Sequence, residues 1–147
     1  MPSGGDLVVD SSTLVAALVD SGPEGDWAEA VLSGRALYAP HLLHAEVANV
    51  LRRLELARQI TTSHATAAYE DLQQLQIELF PFEPFAERIW ELRPSVTGYD
   101  AWYVALAEGL ELPLATLDAR LVNASGPTCR FLAPNSRRTH RVNEPRA

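Results

Sequence analysis

Four acidic residues along the chain have the side-chain type that divalent-metal chemistry requires: Asp10, Glu46, Asp100 and Asp118. Each stands near a predicted junction between a strand and a helix. Clustered carboxylates repel one another and raise one another's pKa values, so a cation must neutralise them. Oxygen donors without Cys or His partners suit Mg²⁺ or Mn²⁺. A magnesium or manganese site follows if the fold brings the four acids to one place.

Two of the acids, Asp10 and Asp118, each follow a short apolar segment that is predicted to be a strand. The segment before Asp10 is 7–9, and the one before Asp118 is 114–117. Apolar residues at helical spacing come after Asp10, so the pattern indicates a buried strand that leads into a helix. Both aspartates also fit a simpler structural role, because Asp is a common N-cap of helices.

The other two acids lie within predicted helices. Thr97 followed three residues later by Asp100, before an apolar run, is typical of a capping box at a helix start. Glu46 lies in the first two turns of an amphipathic helix that is predicted over 41–57. A capping role for Asp100 and a solvent-exposed position for Glu46 are the structural alternatives to a role in chemistry.

The remaining predicted elements complete an alternation of strands and helices. Further strands are expected at 37–39, 77–82 and 130–132, and further helices at 27–34, 61–75 and 84–92, with a turn over 21–25. This order favours an α/β sandwich with a mainly parallel sheet. In such a sheet the functional crevice lies at the carboxyl ends of the strands, where strand order reverses. Asp10 and Asp118 then face one crevice, which Asp100 and Glu46 reach from neighbouring helices.

Length and composition set the broad class of the protein. A chain of 147 residues with 47% hydrophobic content indicates one globular domain with a real core. No apolar run approaches the roughly 18 residues of a membrane span, and residues 1–6 lack a basic, apolar leader, so an intracellular location is expected. The lone Cys129 cannot form an internal disulfide, and no Cys/His cluster has zinc spacing.

Charge is distributed unevenly along the chain. The net charge of −7 argues against a simple basic nucleic-acid binder. All 12 basic residues are Arg, and four of them lie in 134–147 beside a single Glu. Without apolar periodicity, this segment is predicted to be a flexible basic tail after a folded domain at 1–133.

The sequence lacks the acidic motifs of two other classes of phosphate-handling protein. A phosphoryl-accepting regulatory domain has an acidic pair after its first strand and an Asp at the end of its third, but here those places hold Asp10-Ser11 and Phe80-Pro81-Phe82. A phosphatase with an aspartyl nucleophile has a second Asp two residues after the first, where this chain has Ser12.

The segments around the four acids resemble those of PIN-domain nucleases, and more narrowly the VapC-type toxins of bacterial toxin–antitoxin pairs. The resemblance spans about residues 6–133, and it is carried by Val8–Ser12, His44–Leu51, Tyr99–Ala107 and Leu114–Leu121. Its most specific parts are the Tyr-Asp-Ala block and the Thr-x-Asp strand end. It implies a PIN domain at 1–133, a PIN-like α/β/α sandwich whose mainly parallel central sheet of four or five strands is flanked by helices.

The resemblance also implies an activity and a set of site residues. It implies an endoribonuclease of the bacterial cytoplasm that depends on Mg²⁺ or Mn²⁺ and uses all four acids in catalysis. Asp10, Asp100 and Asp118 match the positions that bind the metal. Ser12 and Thr116 match small polar positions that help to order the metal site.

The partners implied by the resemblance are an RNA substrate, a small antitoxin and a second copy of the chain in a homodimer. An antitoxin segment would bury apolar residues in a groove and point an Arg at the acidic pocket. Helix faces around Trp27, 42–54 and Tyr69 are candidates for that groove or for the homodimer surface. The candidates for phosphate contacts are Arg52, Arg53, Arg120 and the tail arginines.

The chemistry expected of such a site is hydrolysis of a phosphodiester. A metal held by the aspartates would screen the negative charge of the phosphate and lower the pKa of a water, with Glu46 or Asp100 accepting the proton. A second metal recruited with substrate would stabilise the leaving oxygen. Two alternatives stay open: a PIN-like module that binds RNA or a partner without catalysis, and an RNA-processing nuclease without an antitoxin.

Overall fold

Five parallel strands form a single sheet in the order β3-β2-β1-β4-β5. The computed structural model describes residues 5–134, so the predicted tail at 134–147 lies outside the described residues except for its first position. The strands are β1 (Leu7–Val9), β2 (Leu37–Pro40), β3 (Ile77–Phe80), β4 (Leu114–Ala115) and β5 (Phe131–Leu132). The prediction of a mainly parallel sheet is confirmed.

Seven α-helices and one 3-10 turn, Glu83–Phe85, connect the strands within the described residues. The helices are α1 (Ser11–Val19), α2 (Pro23–Leu32), α3 (Leu43–Leu56), α4 (Thr62–Gln74), α5 (Ala86–Glu91), α6 (Gly98–Leu110) and α7 (Ala119–Val122). In the described part of the chain, no helix has both the length and the apolar character needed to cross a membrane.

Strand order reverses between β1 and β4. The chain moves outward from β1 to β2 and β3, then returns across the sheet to β4 and β5. Because parallel crossovers are right-handed, α1–α4 cover one face and α5–α7 the other. Contacts agree with this division, since α1, α3 and α4 pack on one another while α6 lies on β1, β2 and β4. The result is an α/β/α sandwich whose topological switch point is the β1/β4 boundary.

The core explains why the strands lack polar alternation. Leu7, Val8 and Val9 of β1 have no exposed surface, as expected for a central strand covered by helices on both faces. Helix α6 is apolar for the same reason: Ala101 and the run 103–107 are buried against the sheet. The first turn of α6, around Tyr99, stays exposed.

Helix α2 starts earlier than its pattern predicts. The segment 21–25 was expected to be a turn, but Pro23 is the first residue of the helix, a position that suits proline because its missing N–H would be unpaired there anyway. Gly25 therefore lies inside α2, where a Cβ atom would stand 1.8 Å from the carbonyl oxygen of Asp20. Glycine at this position lets α2 pack closely against the end of α1.

Three other predicted boundaries shift. Strand β3 ends at Phe80 rather than 82, and the helix expected from Pro84 starts with a 3-10 turn before α5. Strand β4 ends at Ala115, although the N–H of Thr116 still donates to the carbonyl of Leu132 at 3.0 Å. Asp118 consequently stands three residues beyond β4, at the start of α7, instead of directly at the strand end.

An ion pair between α5 and α6 also binds the segment after α7, at Gly126 and Thr128. Arg88 donates to both carboxylate oxygens of Glu108, at 2.7 and 3.1 Å, and to the carbonyl of Gly126 at 2.9 Å. Glu108 also accepts from the N–H of Thr128 at 2.8 Å. Burial raises the pKa of Glu108, but its bonds with Arg88 and Thr128 outweigh burial and hold that pKa below the ordinary value. This cluster shapes the path into β5.

Candidate active site

Asp10 lies at the carboxyl end of β1 and caps α1. Its Oδ1 accepts from the N–H of Thr13 at 3.0 Å and from the hydroxyl of Ser12 at 2.7 Å. The side chain is buried, and this burial raises its pKa. Hydrogen bonds with Thr116, Thr13 and Ser12 lower the pKa but do not outweigh burial. The capping role expected as an alternative is confirmed, and the cap points this carboxylate at the switch point.

Ser12 joins the two strands that flank the switch point. Its hydroxyl donates to Asp10 and also accepts from the backbone N–H of Leu117 at 3.0 Å. The start of α1 is thereby tied to the segment that follows β4, more than a hundred positions later. One hydroxyl fixes both the Asp10 carboxylate and the chain that carries the fourth acid.

Thr116 and Asp118 shape the exit from β4. Thr116 is fully buried, and its Oγ1 accepts from the N–H of Asp118 at 3.0 Å. Asp118 caps α7 by accepting from the N–H groups of Arg120 and Leu121, at 2.9 and 3.4 Å. The guanidinium Nε of Arg120 lies 3.9 Å from the same Oδ1. Asp118 is thus held at the sheet edge by backbone bonds.

Glu46 reaches the same edge from the first turn of α3. Its Oε1 accepts from the hydroxyl of Tyr103 at 2.7 Å. Burial is the largest cause that raises the Glu46 pKa, the charges of Asp100 and Asp10 raise it further, and hydrogen bonds from Tyr103 and Ser11 lower it. The alternative of a fully solvent-exposed Glu46 is wrong, because the side chain is half-buried between α3 and α6.

Asp100 is the third residue of α6. Thr97 caps this helix by accepting from the N–H of Asp100 at 3.2 Å, as the spacing predicts. Burial raises the Asp100 pKa, and so does the charge of Asp118, while Arg120 and a hydrogen bond with Thr97 lower it. The helix dipole favours a negative charge in this first turn.

The four carboxylates form a chain of electrostatic neighbours along one edge. Glu46 interacts with Asp10 and Asp100, and Asp100 interacts with Asp118. Within residues 5–134, no three His, Cys, Asp or Glu side chains form a group that could hold a metal ion as they stand. The donor chemistry nevertheless fits a hard divalent cation: all four side chains are carboxylates, and a cation would relieve their mutual repulsion.

Comparison with known proteins identifies the family. The PIN-domain family model matches residues 7–127. Ribonuclease VapC1 of Mycobacterium tuberculosis is 42% identical over 125 residues, which cover 84% of this chain and 94% of VapC1. The chain belongs to the VapC ribonucleases of the PIN-domain family. This confirms the resemblance drawn from the sequence.

Solved structures of VapC proteins share the fold. The structure of M. tuberculosis VapC20, described as a sarcin-ricin loop cleaving toxin, aligns with a TM-score of 0.60 at 14% identity, over 79% of this chain and 92% of VapC20. M. tuberculosis VapBC-5, described as a member of the VapBC family of toxin–antitoxin systems, aligns with a TM-score of 0.54 at 20% identity, over 91% of this chain and 100% of that one. The PIN-like α/β/α fold is thereby confirmed.

Two residues of this VapC chain belong to the site but were not predicted from the sequence. Tyr103 is only 1% exposed and lies at an apolar position of α6, where its spacing is that of a packing residue. Ser11, at the start of α1, lies close enough to Glu46 to lower its pKa. The neighbouring Ser12 was identified by family resemblance, but nothing in the local pattern of this VapC sequence distinguishes Tyr103 from a packing residue.

A groove of about 570 Å³ adjoins the acids of this VapC protein. Ser11, Ser12 and Leu117 form its end nearest the site, and it continues between α1 and α3 toward α2. Of the faces predicted to form a groove, only the part of α3 around Val50 lines this one. Tyr69 lines a separate depression between α3 and α4, and Trp27 packs against the core.

Proposed function

We propose that this protein is the toxin of a toxin–antitoxin pair and that it acts as a metal-dependent endoribonuclease. PIN-domain ribonucleases depend on metal ions in general, and VapC1 is a ribonuclease by name. The observation that carries the proposal is the placement of Asp10, Glu46, Asp100 and Asp118 at one edge of the sheet, around the switch point. No local helix-capping role requires acids from four separate elements to lie along that one edge.

In this proposal Asp10, Asp100 and Asp118 hold Mg²⁺ or Mn²⁺. The bound cation supplies Lewis-acid chemistry, since it offsets the charge of the phosphodiester and makes water more acidic. Ser12 keeps the Asp10 carboxylate oriented by donating a hydrogen bond to it, and the buried Thr116 lies close enough to lower the Asp10 pKa. Fixed ligands avoid the entropy cost of ordering flexible carboxylates when the ion binds.

Glu46 is the proton acceptor that the geometry favours over Asp100. A hydrogen bond from Tyr103 fixes one of its oxygens. Burial raises the pKa of both Glu46 and Asp100, so this contact rather than the pKa separates the two acids. Asp100 instead interacts with Asp118, which suits a shared role in holding the ion. No covalent intermediate is needed.

The groove beside the acids suits an antitoxin segment. Its floor is apolar, with Val15, Leu54 and Ile60, while Asp20 and Glu24 lie at its far end. A basic amphipathic segment would bury apolar residues there and reach the acidic edge past Ser11 and Ser12. An antitoxin partner agrees with VapBC-5, which belongs to a toxin–antitoxin family. The experiment is co-expression with the small protein encoded beside this one, followed by co-purification.

Cleavage of RNA tests the enzymatic part of the proposal. A labelled single-stranded RNA is incubated with the protein in Mg²⁺, Mn²⁺ or EDTA, and RNA ends are sequenced after brief induction in cells. We expect discrete new ends with the wild type and none with Asp100→Asn or with EDTA. Asp71→Asn, which removes an exposed charge on α4, is the matched control and should cleave like the wild type.

Titration with Mn²⁺ separates this proposal from a non-catalytic module. We expect calorimetric binding by the wild type and Asp71→Asn, with weaker binding by Asp10→Asn. If metal binding is absent while RNA binding persists, the chain is a binding module rather than a nuclease. The homodimer stays a prediction, which light scattering of the purified chain tests.

A further inference from the structure

A second pocket, of about 220 Å³, lies between the start of α6 and α7. Asp100 and Asp118 form one of its walls, while Asp10 and Glu46 do not line it. The pocket therefore continues the acidic edge outward from Asp100 and Asp118. A substrate strand that is cut at the acids has its neighbouring nucleotide close to this opening.

Arg120 lines this pocket, and its guanidinium is almost unpaired within the described residues. Its side chain is 95% exposed, and its only ion pair among residues 5–134 is the long contact with Asp118, at 3.9 Å. Its backbone N–H is bonded to Asp118, which fixes the point from which the side chain extends. A guanidinium has five N–H donors in a planar fork that matches phosphate oxygens. Arg120 is thus available to bind an anionic ligand.

The inner surface of the pocket is apolar. Val96 and Leu121 are 6% and 4% exposed, and half-buried Ala124 lies beside them. The volume exceeds the roughly 150 Å³ of an engineered protein cavity that holds one benzene ring, and it is smaller than the roughly 300 Å³ at which drug-sized ligand sites begin. The space suits a single planar ring.

We propose that this pocket binds one nucleotide of the RNA strand, adjacent to the bond that is cut. The base lies against Val96, Leu121 and Ala124, and Arg120 binds a phosphate of the same strand. This inference rests on the proposed ribonuclease function, because the acids place the scissile phosphate at the pocket wall. It makes Arg120 and Ala124 binding and specificity residues of a single-strand site.

Direct RNA binding tests the role of Arg120. Fluorescence anisotropy of a labelled single-stranded RNA is measured with Mg²⁺ over a salt series, in an Asp10→Asn background that leaves the pocket walls unchanged. We expect Arg120→Ala to weaken binding about tenfold and to reduce the slope of log K against log salt by about 0.7, as for one lost phosphate contact. Arg120→Lys should keep the slope.

Arg130→Ala is the matched control. Arg130 is exposed and lies just before β5, at the amino ends of the parallel strands. The acids lie at the carboxyl ends. The Arg130→Ala variant loses the same charge as Arg120→Ala, but at a residue that does not line the pocket. Its RNA affinity and salt slope should therefore equal those of the Asp10→Asn parent. Equal effects of the Arg120 and Arg130 substitutions would mean that only net charge matters, and this would overturn the site.

Filling the pocket tests the base. One abasic nucleotide is moved along the RNA, and the position at which it weakens binding marks the base that is held. At that position we expect no further loss when Ala124→Leu occupies the space. Ala124→Val provides a smaller change, and circular dichroism checks the fold of each variant. If the abasic penalty is the same in the parent and in both variants, no base binds in the pocket.

Failure of this inference differs from failure of the proposed function. RNA cleavage with no effect of Arg120 or Ala124 substitutions leaves the nuclease and removes the nucleotide site. Arg120-dependent binding with a base-specific penalty, but without cleavage by the wild-type chain, leaves the site and removes the nuclease.

Discussion

The hydroxyl of Tyr103 donates a 2.7 Å hydrogen bond to Oε1 of Glu46, across 57 positions of sequence. Tyr103 is 1% exposed, so its hydroxyl cannot exchange this partner for bulk water. Burial, the bond to Glu46 and nearby negative charges all raise the pKa of Tyr103, so it stays a donor throughout the physiological range. The bond fixes α3 relative to α6 and orients the acid that we propose accepts a proton.

Removal of this bond should slow the chemical step. Tyr103→Phe keeps the ring and loses the donor, and we expect kcat for RNA cleavage to fall about tenfold with KM nearly unchanged, the scale of one hydrogen bond to a charged acceptor. Because the bond lowers the Glu46 pKa, its loss should also move the acidic limb of the pH–rate profile to higher pH. Tyr69→Phe, at an exposed tyrosine of α4, is the control. A profile unchanged by Tyr103→Phe would argue against Glu46 as the base.

Ser12 should contribute to both stability and metal binding. Ser12→Ala leaves the N–H of Leu117 without its acceptor and takes one hydrogen bond from Asp10. We expect a loss of about 2 kcal/mol in the free energy of unfolding and weaker calorimetric binding of Mn²⁺. Ser33→Ala, at an exposed serine after α2, should change neither quantity. Unfolding in urea with EDTA measures the first effect apart from the second.

Asp100 should destabilise the metal-free protein at neutral pH. Its folded pKa is raised, chiefly by burial and then by Asp118, so its favourable contribution exists at low pH and is lost as pH rises through that pKa. Asp100→Asn should therefore unfold at higher urea concentration than the wild type at pH 7 in EDTA. The difference in urea concentration should shrink when the pH falls below the ordinary Asp pKa of about 3.9. Unfolding of Asp100→Asn at a lower urea concentration than the wild type at pH 7 would contradict this. So would a change no larger than that of the control variant Asp71→Asn.

The cluster of Arg88 and Glu108 should control acid stability. The Glu108 pKa is lowered, so its contribution is present above the unfolded value of about 4.3 and is lost as pH falls through the folded value. Glu108→Gln should cost about 2 kcal/mol at pH 7 and should flatten the loss of stability in acid. Glu87→Gln, at an exposed glutamate of α5, should keep the wild-type pH dependence. Thermal unfolding between pH 3 and 7 checks both.

The end of β1 and the start of α6 were accessible from sequence because each has a simple local pattern. The apolar run before Asp10 marks β1 and the edge where its carboxylate emerges. Thr97 marks the start of α6 and therefore the position of Asp100. Such features depend on neighbours within a few residues, which a single sequence displays. Parallel topology then brings separate junctions to one edge without further information.

The contacts that orient the acids were not accessible in the same way. Periodicity indicates that position 103 faces inward, but the partner of its hydroxyl depends on how α3 and α6 pack. The pairing of Arg88 with Glu108 likewise follows from the packing of α5 on α6. The early end of β4 reflects its short neighbour β5, since Phe131 and Leu132 offer only two paired positions. These features depend on tertiary geometry rather than on local pattern.

The order of the strands also determines when the protein becomes active during its synthesis. Strand β1 is made before β2 and β3, but its neighbour β4 and the acid that follows it, Asp118, are made after both of those strands. Until β4 pairs with β1, Ser12 has no Leu117 N–H to bind, and the edge lacks one of its three proposed metal ligands. A nascent chain on the ribosome therefore carries an incomplete site. The proposed toxin cannot cut RNA until Asp118 has been translated and β4 has paired with β1.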